Sequence, residues 1–208
     1  MVEAETQLPL RFNIAPTQEV AAVRQAQGQP RRLDNLRWGL IPFWAKDTKI
    51  GARMINARGE TVAEKPAFRS AFEKRRCLIL SDGYFEWKKE GSKKQPFYIR
   101  MADDRPFAFA GLWEKWRGDG EAEPLETCTV ITTTANDLTQ PIHERMPVIL
   151  GPNDYQPWLD RKNSKREQLE YLLQPYPSSE MKVERVSMHV NNVRNDDPQC
   201  LEVQRELF

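Results

Sequence analysis

The sequence of 208 residues predicts an α+β fold, with a mixed, mostly antiparallel β-sheet core flanked by helices. Runs of apolar, β-branched and aromatic residues with the length of strands dominate the chain. The helical patterns are few and do not alternate regularly with the strands, which disfavours a doubly wound parallel sheet. We find no internal repeat and no obvious linker, so a single domain over residues 1–208 is expected.

Eight stretches are predicted as strands, from apolar runs or from alternation of apolar and polar residues. They are 20–23, 36–41, 77–87, 97–101, 107–113, 127–134, 146–150 and 181–186. The third stretch is broken at 81–83, and the turn KKEGSKKQ after it predicts a hairpin with 97–101.

Three stretches are predicted as helices. In 66–75, Pro66 suits the first turn and two phenylalanines lie one turn apart. Before it, residues 45–65 are polar and lack clean periodicity, and a long irregular segment inside a compact domain is usually functional or disordered. The other two predicted helices are 153–159 and 164–173.

Composition excludes several classes of protein. No run of about 18 apolar residues exists, and the N-terminus has no basic segment followed by an apolar one, so neither a transmembrane helix nor a secretory signal is expected. Three cysteines (Cys77, Cys128 and Cys200) form no C-x-x-C pair, and the chain has two histidines. This disfavours a zinc finger or a disulfide framework. We therefore expect a cytoplasmic monomer without metal or cofactor.

The formal net charge of +1 hides an uneven distribution of charge. Residues 1–23 carry −2, residues 24–76 carry +8 and residues 77–208 carry −5. Basic residues interleaved with aromatic rings suit single-stranded nucleic acid, because cations track phosphates and rings stack on bases. A solvated basic face over core aromatics is the alternative, and composition alone favours it. The aromatic residues of the basic segment are Trp38, Phe43, Trp44, Phe68 and Phe72.

Glu86 is the most unusual polar residue, because Phe85 and Trp87 flank it and Tyr84 precedes them. A carboxyl group in apolar surroundings has a raised pKa, in the range that is useful for proton transfer. The alternative is simple alternation, in which Phe85 and Trp87 face the core and Glu86 faces solvent.

His143 lies in a loop before the predicted strand 146–150, a plausible place for an acid/base group. A structural hydrogen bond is the commoner use of a lone histidine. Asn13 and Asn56 could position a substrate through their amides, or could simply shape turns. Arg58 could clamp a phosphate, or could pair with Glu60.

Six motifs follow one another along the chain: RFNIAPTQ, RWGLIPFWA, INARGET, CLILSDGYFEWKK, IHERMPVIL and VNNVRNDDP. In this order they closely resemble the SRAP family, the SOS-response-associated peptidases or abasic-site processing proteins. The resemblance runs from about Arg11 to the C-terminus and implies an SRAP-like, open barrel-like sheet. It also implies single-stranded DNA with an abasic site as the partner.

The resemblance further implies a covalent mechanism. In the family, self-removal of the initiator methionine exposes an N-terminal cysteine, whose α-amine condenses with the sugar aldehyde at C1′. Its thiol then closes a thiazolidine ring, which leaves a stable DNA–protein crosslink. Asn13 is implied to position this nucleophile, Glu86 to serve self-processing and proton transfer, and His143 to act as acid and base at the sugar. The residues implied to contact DNA are Arg58, Asn56, Trp38, Phe43 and Trp44.

The start of the chain departs from the family pattern. The family begins Met-Cys-Gly-Arg, whereas this chain begins MVEA, and none of its three cysteines has a free α-amine. We therefore expect no thiazolidine from this chain. Either the true start lies upstream or the nucleophile has been lost, and the persistence of Asn13, Glu86 and His143 favours the first.

Two further functions remain as alternatives to the crosslinking enzyme. One is a non-catalytic module that binds single-stranded DNA. The other is a peptidase acting on other proteins, which is disfavoured because the chain has no Ser-His-Asp order and no H-E-x-x-H motif.

Overall fold

The computed structural model describes residues 8–25, 29–118, 123–163 and 165–204. Strands form most of its regular structure, and the three α-helices are short: α1 (Arg69–Lys74), α2 (Tyr155–Leu159) and α3 (Arg166–Leu169). The strands are β1 (Glu19–Gln25), β2 (Arg31–Trp38), β3 (Asn56–Arg58), β4 (Arg76–Ser81), β5 (Tyr84–Glu90), β6 (Lys93–Met101), β7 (Phe107–Trp116), β8 (Leu125–Thr134), β9 (Arg145–Pro147), β10 (Ile149–Leu150) and β11 (Met181–Arg185).

Five strands of the larger sheet close into a barrel. β1 lies antiparallel between β2 and β4, β4 pairs with β7, and β7 pairs with β8. The ring is completed where β8 runs parallel to the end of β2, with Trp38 opposite Cys128. The predicted α+β class with a mixed, mostly antiparallel, barrel-like sheet is thus confirmed, and the structure adds that these five strands form a closed ring.

The two faces of the barrel wall bury different clusters, because successive residues of a strand point to opposite faces. One cluster receives apolar side chains from all five barrel strands, such as Leu36 and Val130, and therefore fills the interior. The other lies on the outside under the helices and includes Phe72, Trp158 and Leu169. Neighbouring residues of β8 divide between the clusters, since Val130 points inward and Ile131 outward.

The chain between β9 and β10 inserts where β7 and β8 separate. β9 pairs with β8, and β10 pairs with β7. The N–H of Val148 donates to the Ile131 carbonyl at 2.8 Å, and the N–H of Ala110 donates to the Val148 carbonyl at 2.9 Å. The predicted strand 146–150 is therefore two short strands, since Val148 joins both neighbours. This insertion carries the IHER motif to the end of β8, opposite the edge that holds β3.

Other element boundaries also differ from the sequence prediction: the predicted helix 66–75 is α1 at Arg69–Lys74, and the predicted helix 153–159 is α2 preceded by a 3-10 turn at Pro152–Asp154. The predicted strand 36–41 ends at Trp38, because Gly39 has a φ of 129° and packs so closely on Gly51 that a Cβ would lie 2.7 Å from the Gly51 carbonyl oxygen. The predicted helix 164–173 is α3 followed by a 3-10 turn at Glu170–Leu173, and residue 164 lies outside the described residues. Within the described ranges, no helix is long and apolar enough to cross a membrane.

A second sheet of three antiparallel strands, β5, β6 and β11, stands beside the barrel. The predicted hairpin is the β5–β6 pair, in which Glu86 lies opposite Phe97. A Cβ on Gly83 would lie 2.3 Å from the Tyr98 ring, so glycine is needed where the chain enters β5. On the other side of this sheet Phe85, Trp87 and Tyr98 pack on a small cluster with the C-terminal segment. β5 therefore places Phe85 and Trp87 on the face opposite to Glu86.

Candidate active site

An open cleft of about 490 Å³ brings two of the sequence-predicted residues together. Glu86 enters it from β5, and His143 enters it from the loop before β9. These two residues are far apart in the sequence, so the cleft exists only in the folded chain. The residues that line it are Glu86, Trp87, Lys94, His143 and Asn191.

Glu86 is half-buried in this cleft. Burial raises the pKa of its carboxyl group, while the Trp87 N–H, which donates to Oε1 at 3.1 Å, and the nearby charges of His143 and Lys94 act in the opposite direction. Phe85 and Trp87 do face a core cluster, as simple alternation requires. Glu86 nevertheless faces a cleft and not open solvent, which is the setting that suits a group for proton transfer.

His143 is exposed at the mouth of the cleft, and its ring is held by the main chain of Arg145. Nδ1 lies 3.1 Å from the Arg145 nitrogen and 3.2 Å from the Arg145 carbonyl oxygen. When Nδ1 lacks a proton it accepts from the N–H, and when Nδ1 is protonated it donates to the carbonyl. The same backbone therefore supports both states of the ring, and Nε2 has no hydrogen-bond partner among the described residues.

The side chain of Arg145 reaches back to the INARGET motif. It makes a bidentate ion pair with Glu60, with distances of 2.7 and 2.9 Å, and its Nη2 also donates to the Thr132 carbonyl at 2.7 Å. This pair lowers the pKa of Glu60. Glu60 therefore forms its ion pair with Arg145 and not with Arg58, although the nearby charge of Arg58 also lowers the pKa of Glu60.

Asn56 and Arg58 lie on one exposed face of β3, whereas Ala57 between them is buried in the outer cluster. β3 runs parallel to β8, and Arg58 lies opposite Thr132. Thr132 also accepts from Arg145, the residue whose main chain contacts His143. Strand β8 alone therefore lies between Arg58 and Arg145. Neither Asn56 nor Arg58 lines the cleft itself.

Asn13 is buried, and its amide is occupied by the C-terminal segment. Its Nδ2 lies 3.1, 3.3 and 3.0 Å from the carbonyl oxygens of Val190, Asn192 and Asn195. The N–H groups of Phe12 and Asn13 both point to the Asp196 carboxylate, at 2.6 and 3.0 Å. Asn13 therefore anchors the loop that carries Asn191 into the cleft and does not line the cleft itself.

The three aromatic residues assigned to DNA contact differ in their surroundings. Phe43 and Trp44 are 61% and 49% exposed, so their rings are free to stack. Trp38 is half-buried, packs on the interior cluster, and donates its indole N–H to the Ile55 carbonyl at 2.8 Å. Trp38 thus ties the end of β2 to Ile55 and holds the segment between them in place. Phe43 and Trp44 are the two exposed rings of that segment.

Sequence reasoning missed several residues around the cleft. Trp87 donates its indole N–H to Asn191 Oδ1 at 2.7 Å, which joins β5 to the C-terminal segment. The VNNVRNDDP motif signalled Asn191 without suggesting its place. No local pattern marks Lys94, which follows another lysine at the start of β6. The pairing of Glu60 with Arg145 was equally invisible, since it depends on β3 and β9 flanking β8.

Among the described residues, one group of three possible metal ligands lies close together: His189, Asp197 and Cys200. His189 Nε2 lies 3.0 Å from the Asp197 carboxylate, and Nδ1 lies 3.1 Å from the Asn195 side-chain nitrogen. That nitrogen also donates to the His189 carbonyl at 2.8 Å, which fixes the orientation of the amide. Both ring nitrogens thus have partners within the protein, and we assign no metal to this group.

The model of the family described as SOS response associated peptidase (SRAP) matches residues 1–193. The chain belongs to the SRAP family. It is 47% identical over 192 residues to the abasic site processing protein YoqW of Bacillus subtilis, which covers 92% of this chain and 85% of that protein. It is 32% identical to the abasic site processing protein HMCES of Gallus gallus, over 86% of this chain and 59% of the larger protein.

Solved structures agree with this membership. A protein from Bacteroides thetaiotaomicron matches with a TM-score of 0.82 and 32% identity, over 91% of this chain and 82% of that one. A protein from Bordetella bronchiseptica matches with a TM-score of 0.73 and 27% identity, over 87% of this chain and 90% of that one. The barrel with its additional strands is therefore an SRAP fold. The cleft is lined by residues of three separate motifs, CLILSDGYFEWKK, IHERMPVIL and VNNVRNDDP.

Proposed function

We propose that this SRAP protein binds single-stranded DNA at an abasic site, with the open-chain sugar aldehyde in the cleft between Glu86 and His143. The observation that carries the proposal is the meeting of these two residues in one cleft. An aldehyde that condenses with an amine needs one group to donate a proton to the departing water and one to accept a proton from the amine.

Glu86 is the proton donor in this proposal. Because burial raises the pKa of its carboxyl group, a larger share of Glu86 is protonated near neutral pH than in an exposed glutamate. His143 exchanges protons through Nε2, since Arg145 occupies Nδ1. A carboxyl group with a raised pKa beside an imidazole provides both proton steps of imine formation and of its reversal.

Exposed residues outside the cleft suit a single strand. Arg58 is exposed on β3 and forms no ion pair among the described residues, although its charge reaches Glu60, so its guanidinium is available to a phosphate. Phe43 and Trp44 offer rings on which bases stack. A single strand also avoids most of the cost of taking a nucleotide out of a duplex.

The covalent step is proposed for a form of the protein that begins with cysteine. Its α-amine and the C1′ aldehyde would give an imine and water, and the thiol would add to the imine carbon to close the thiazolidine. Asn13 serves this step indirectly, by anchoring the segment that carries Asn191. Self-removal of the methionine belongs to the same proposal and would make the protein an autopeptidase. Glu86 serves this self-processing step as well as the proton transfer.

The test compares abasic and undamaged oligonucleotides of one sequence. The unextended chain and a version extended to begin Met-Cys-Gly-Arg are incubated with each, and the products are run on a denaturing gel. We expect a heat-stable shifted band only for the extended version with abasic DNA, and its loss in Glu86→Gln and His143→Gln. If the extended version binds both oligonucleotides and gives no band, the crosslinking function is wrong.

A non-catalytic module that binds single-stranded DNA is the second candidate, favoured by the exposed rings beside a basic segment. It predicts equal affinity for abasic and undamaged strands, measured by fluorescence anisotropy, with affinity falling as salt rises. A clear preference for the abasic strand that depends on His143 would exclude this candidate.

A further inference from the structure

The ion pair between Glu60 and Arg145 joins two sequence motifs. In the proposed function, these motifs contribute other residues, Arg58 and His143. Glu60 follows Arg58 in the INARGET motif, and Arg145 follows His143 in IHERMPVIL. Neither side chain lines the cleft. The pair is nevertheless bidentate, which fixes the guanidinium plane relative to the carboxylate more tightly than a single contact does.

We propose that Glu60 and Arg145 are a positioning pair that holds the His143 ring in place and directs its Nε2 toward the cleft. The contact is indirect. The pair fixes Arg145, and the N–H and carbonyl of Arg145 are the groups that lie against His143 Nδ1, at 3.1 and 3.2 Å. Only the chemical role of the ring rests on the function proposed above, since the positioning itself needs no DNA.

The need for such a pair follows from the position of His143. The ring is exposed, and within the described part of the chain its side chain has hydrogen-bond partners only in Arg145. β9 is three residues long, so its own ladder gives Arg145 little support. An unsupported short strand at the end of a sheet opens easily, and the ring would then lose its orientation.

The guanidinium is anchored at more than one point, which makes it a brace. Besides Glu60, it meets the Thr132 carbonyl at 2.7 Å, and the same carbonyl accepts the Gly59 N–H at 2.8 Å. Arg166 of α3 donates to the Glu60 carbonyl at 2.6 Å and so holds the other partner. The Arg145 side chain is 17% exposed against 48% for Glu60, so the arginine is the enclosed member and the glutamate closes it in.

Geometry and charge make different predictions for a lysine in place of Arg145. Lysine keeps the positive charge but offers a single point of contact, whereas arginine presents a planar fork. If the pair acts through geometry, Arg145→Lys disturbs His143 almost as much as Glu60→Gln does. If it acts through charge alone, the lysine variant behaves like the wild-type protein.

The test uses the free protein and nuclear magnetic resonance. The chain has two histidines, so the imidazole spectrum contains His143 and His189 alone, and a His143→Gln variant assigns them. Two quantities are measured in the wild-type protein, Glu60→Gln and Arg145→Lys: the ring nitrogen shifts of His143, and the hydrogen-exchange rate of the Arg145 amide. The matched control is Glu180→Gln, which removes a carboxylate of similar exposure, 46%, from its ion pair with Arg105.

We expect the Arg145 amide to exchange about tenfold faster in both variants, since the local opening that exposes it becomes easier. The His143 shifts should move toward those of a freely rotating imidazole, while His189 and the control remain unchanged. Unchanged His143 shifts and Arg145 exchange in both variants would overturn the proposal. So would equal acceleration of all β8 and β9 amides, which marks a pair that only stabilises the sheet. No DNA is present, so either result stands apart from the outcome of the crosslinking assay.

Discussion

The indole N–H of Trp87 donates to the side-chain oxygen of Asn191 at 2.7 Å, across more than a hundred residues of sequence. This hydrogen bond ties the strand that carries Glu86 to the segment that Asn13 anchors. Two walls of the cleft are thereby joined at one contact, and the shape of the cleft depends on both.

The Trp87–Asn191 contact predicts a measurable coupling. We expect Trp87→Phe and Asn191→Ala each to lower the free energy of unfolding, and the double variant to lose less than the sum. A coupling of about 1 kcal/mol is expected, the typical net value of one hydrogen bond. Urea denaturation of the four proteins measures it. Strict additivity would show that the two side chains do not interact in solution.

The contacts of Asn13 predict that the stability of the protein depends strongly on its side-chain amide. Asn13→Ala removes the side-chain donor shared by the carbonyls of Val190, Asn192 and Asn195 and leaves the buried bond to Val190 unmade, at a cost of about 1–3 kcal/mol. Asn13→Asp is worse at neutral pH, because a carboxylate would face those carbonyls. The folded state would raise the pKa of this carboxyl group, so stability would be present at low pH and lost as pH rises through that pKa.

Unfolding of the Asn13 variants between pH 4 and pH 8 checks this expectation. The matched control is Asn153→Asp, at an exposed position of a short turn. If Asn13→Asp is as stable as Asn153→Asp at pH 8, the amide does not anchor the C-terminal segment.

Glu86 predicts a conflict between stability and activity. Its folded-state pKa is raised by burial, so the ionised wild-type protein loses stability as pH rises through that pKa. Glu86→Gln carries no charge, and we expect its Tm at pH 7 to exceed the wild-type Tm by roughly 1–3 °C. The difference in Tm should shrink as pH falls below the ordinary glutamate range. In the version that begins Met-Cys-Gly-Arg, the same substitution should abolish adduct formation.

Differential scanning calorimetry at several pH values measures this difference in Tm. Glu73→Gln, an exposed change on α1, serves as the control and should leave Tm and its pH dependence unchanged. A Glu86→Gln variant that is less stable than the wild-type protein at pH 7 would contradict the assigned burial.

Arg58 predicts an effect that depends on its place and not on charge alone. Arg58→Glu should weaken binding of single-stranded DNA and reduce the slope of log K against log salt by about 0.7, the value for one phosphate contact. Arg69→Glu is the matched control, since Arg69 belongs to the same basic segment but lies at an exposed position of α1. Equal losses in the two variants, measured by anisotropy, would mean that bulk charge governs binding.

Trp44 and Trp38 predict opposite outcomes from the same substitution. Trp44→Ala should weaken single-strand binding by about 1–3 kcal/mol, the value of one stacked base, and barely change stability. Trp38→Ala should destabilise the fold, because it removes a packed ring and the hydrogen bond to Ile55. Anisotropy and urea denaturation separate the two effects. A stable Trp38→Ala protein that binds poorly would reverse the assignment.

The sequence was sufficient for features that depend on local pattern. Alternation along β5 and the apolar run of β4 predict strands, and the turn after Glu90 predicts the β5–β6 hairpin. Glu86 was identifiable because its neighbours are aromatic. These signals come from residues close in the chain, where spacing alone determines which side chains share a face.

The remaining features depend on contacts between distant segments. No spacing rule connects Glu60 to Arg145, because their meeting requires β3 and β9 to lie on opposite edges of β8. The role of Asn13 could not be found either, since its three carbonyl partners lie about 180 residues away. Closure of the barrel likewise depends on the parallel pairing of β2 with β8. These two strands are far apart in the sequence, and no local pattern connects them.

The bond between the Asn13 backbone and the Asp196 carboxylate spans 183 positions of the chain. During synthesis, the N-terminal motif must therefore wait until nearly the whole protein has left the ribosome before it meets its partner. Closing so long a loop costs conformational entropy. This cost falls once the strands between the two segments have folded, so the contact forms late. We expect the cleft to be among the last parts of the protein to form, so that unfinished chains present no completed site to DNA.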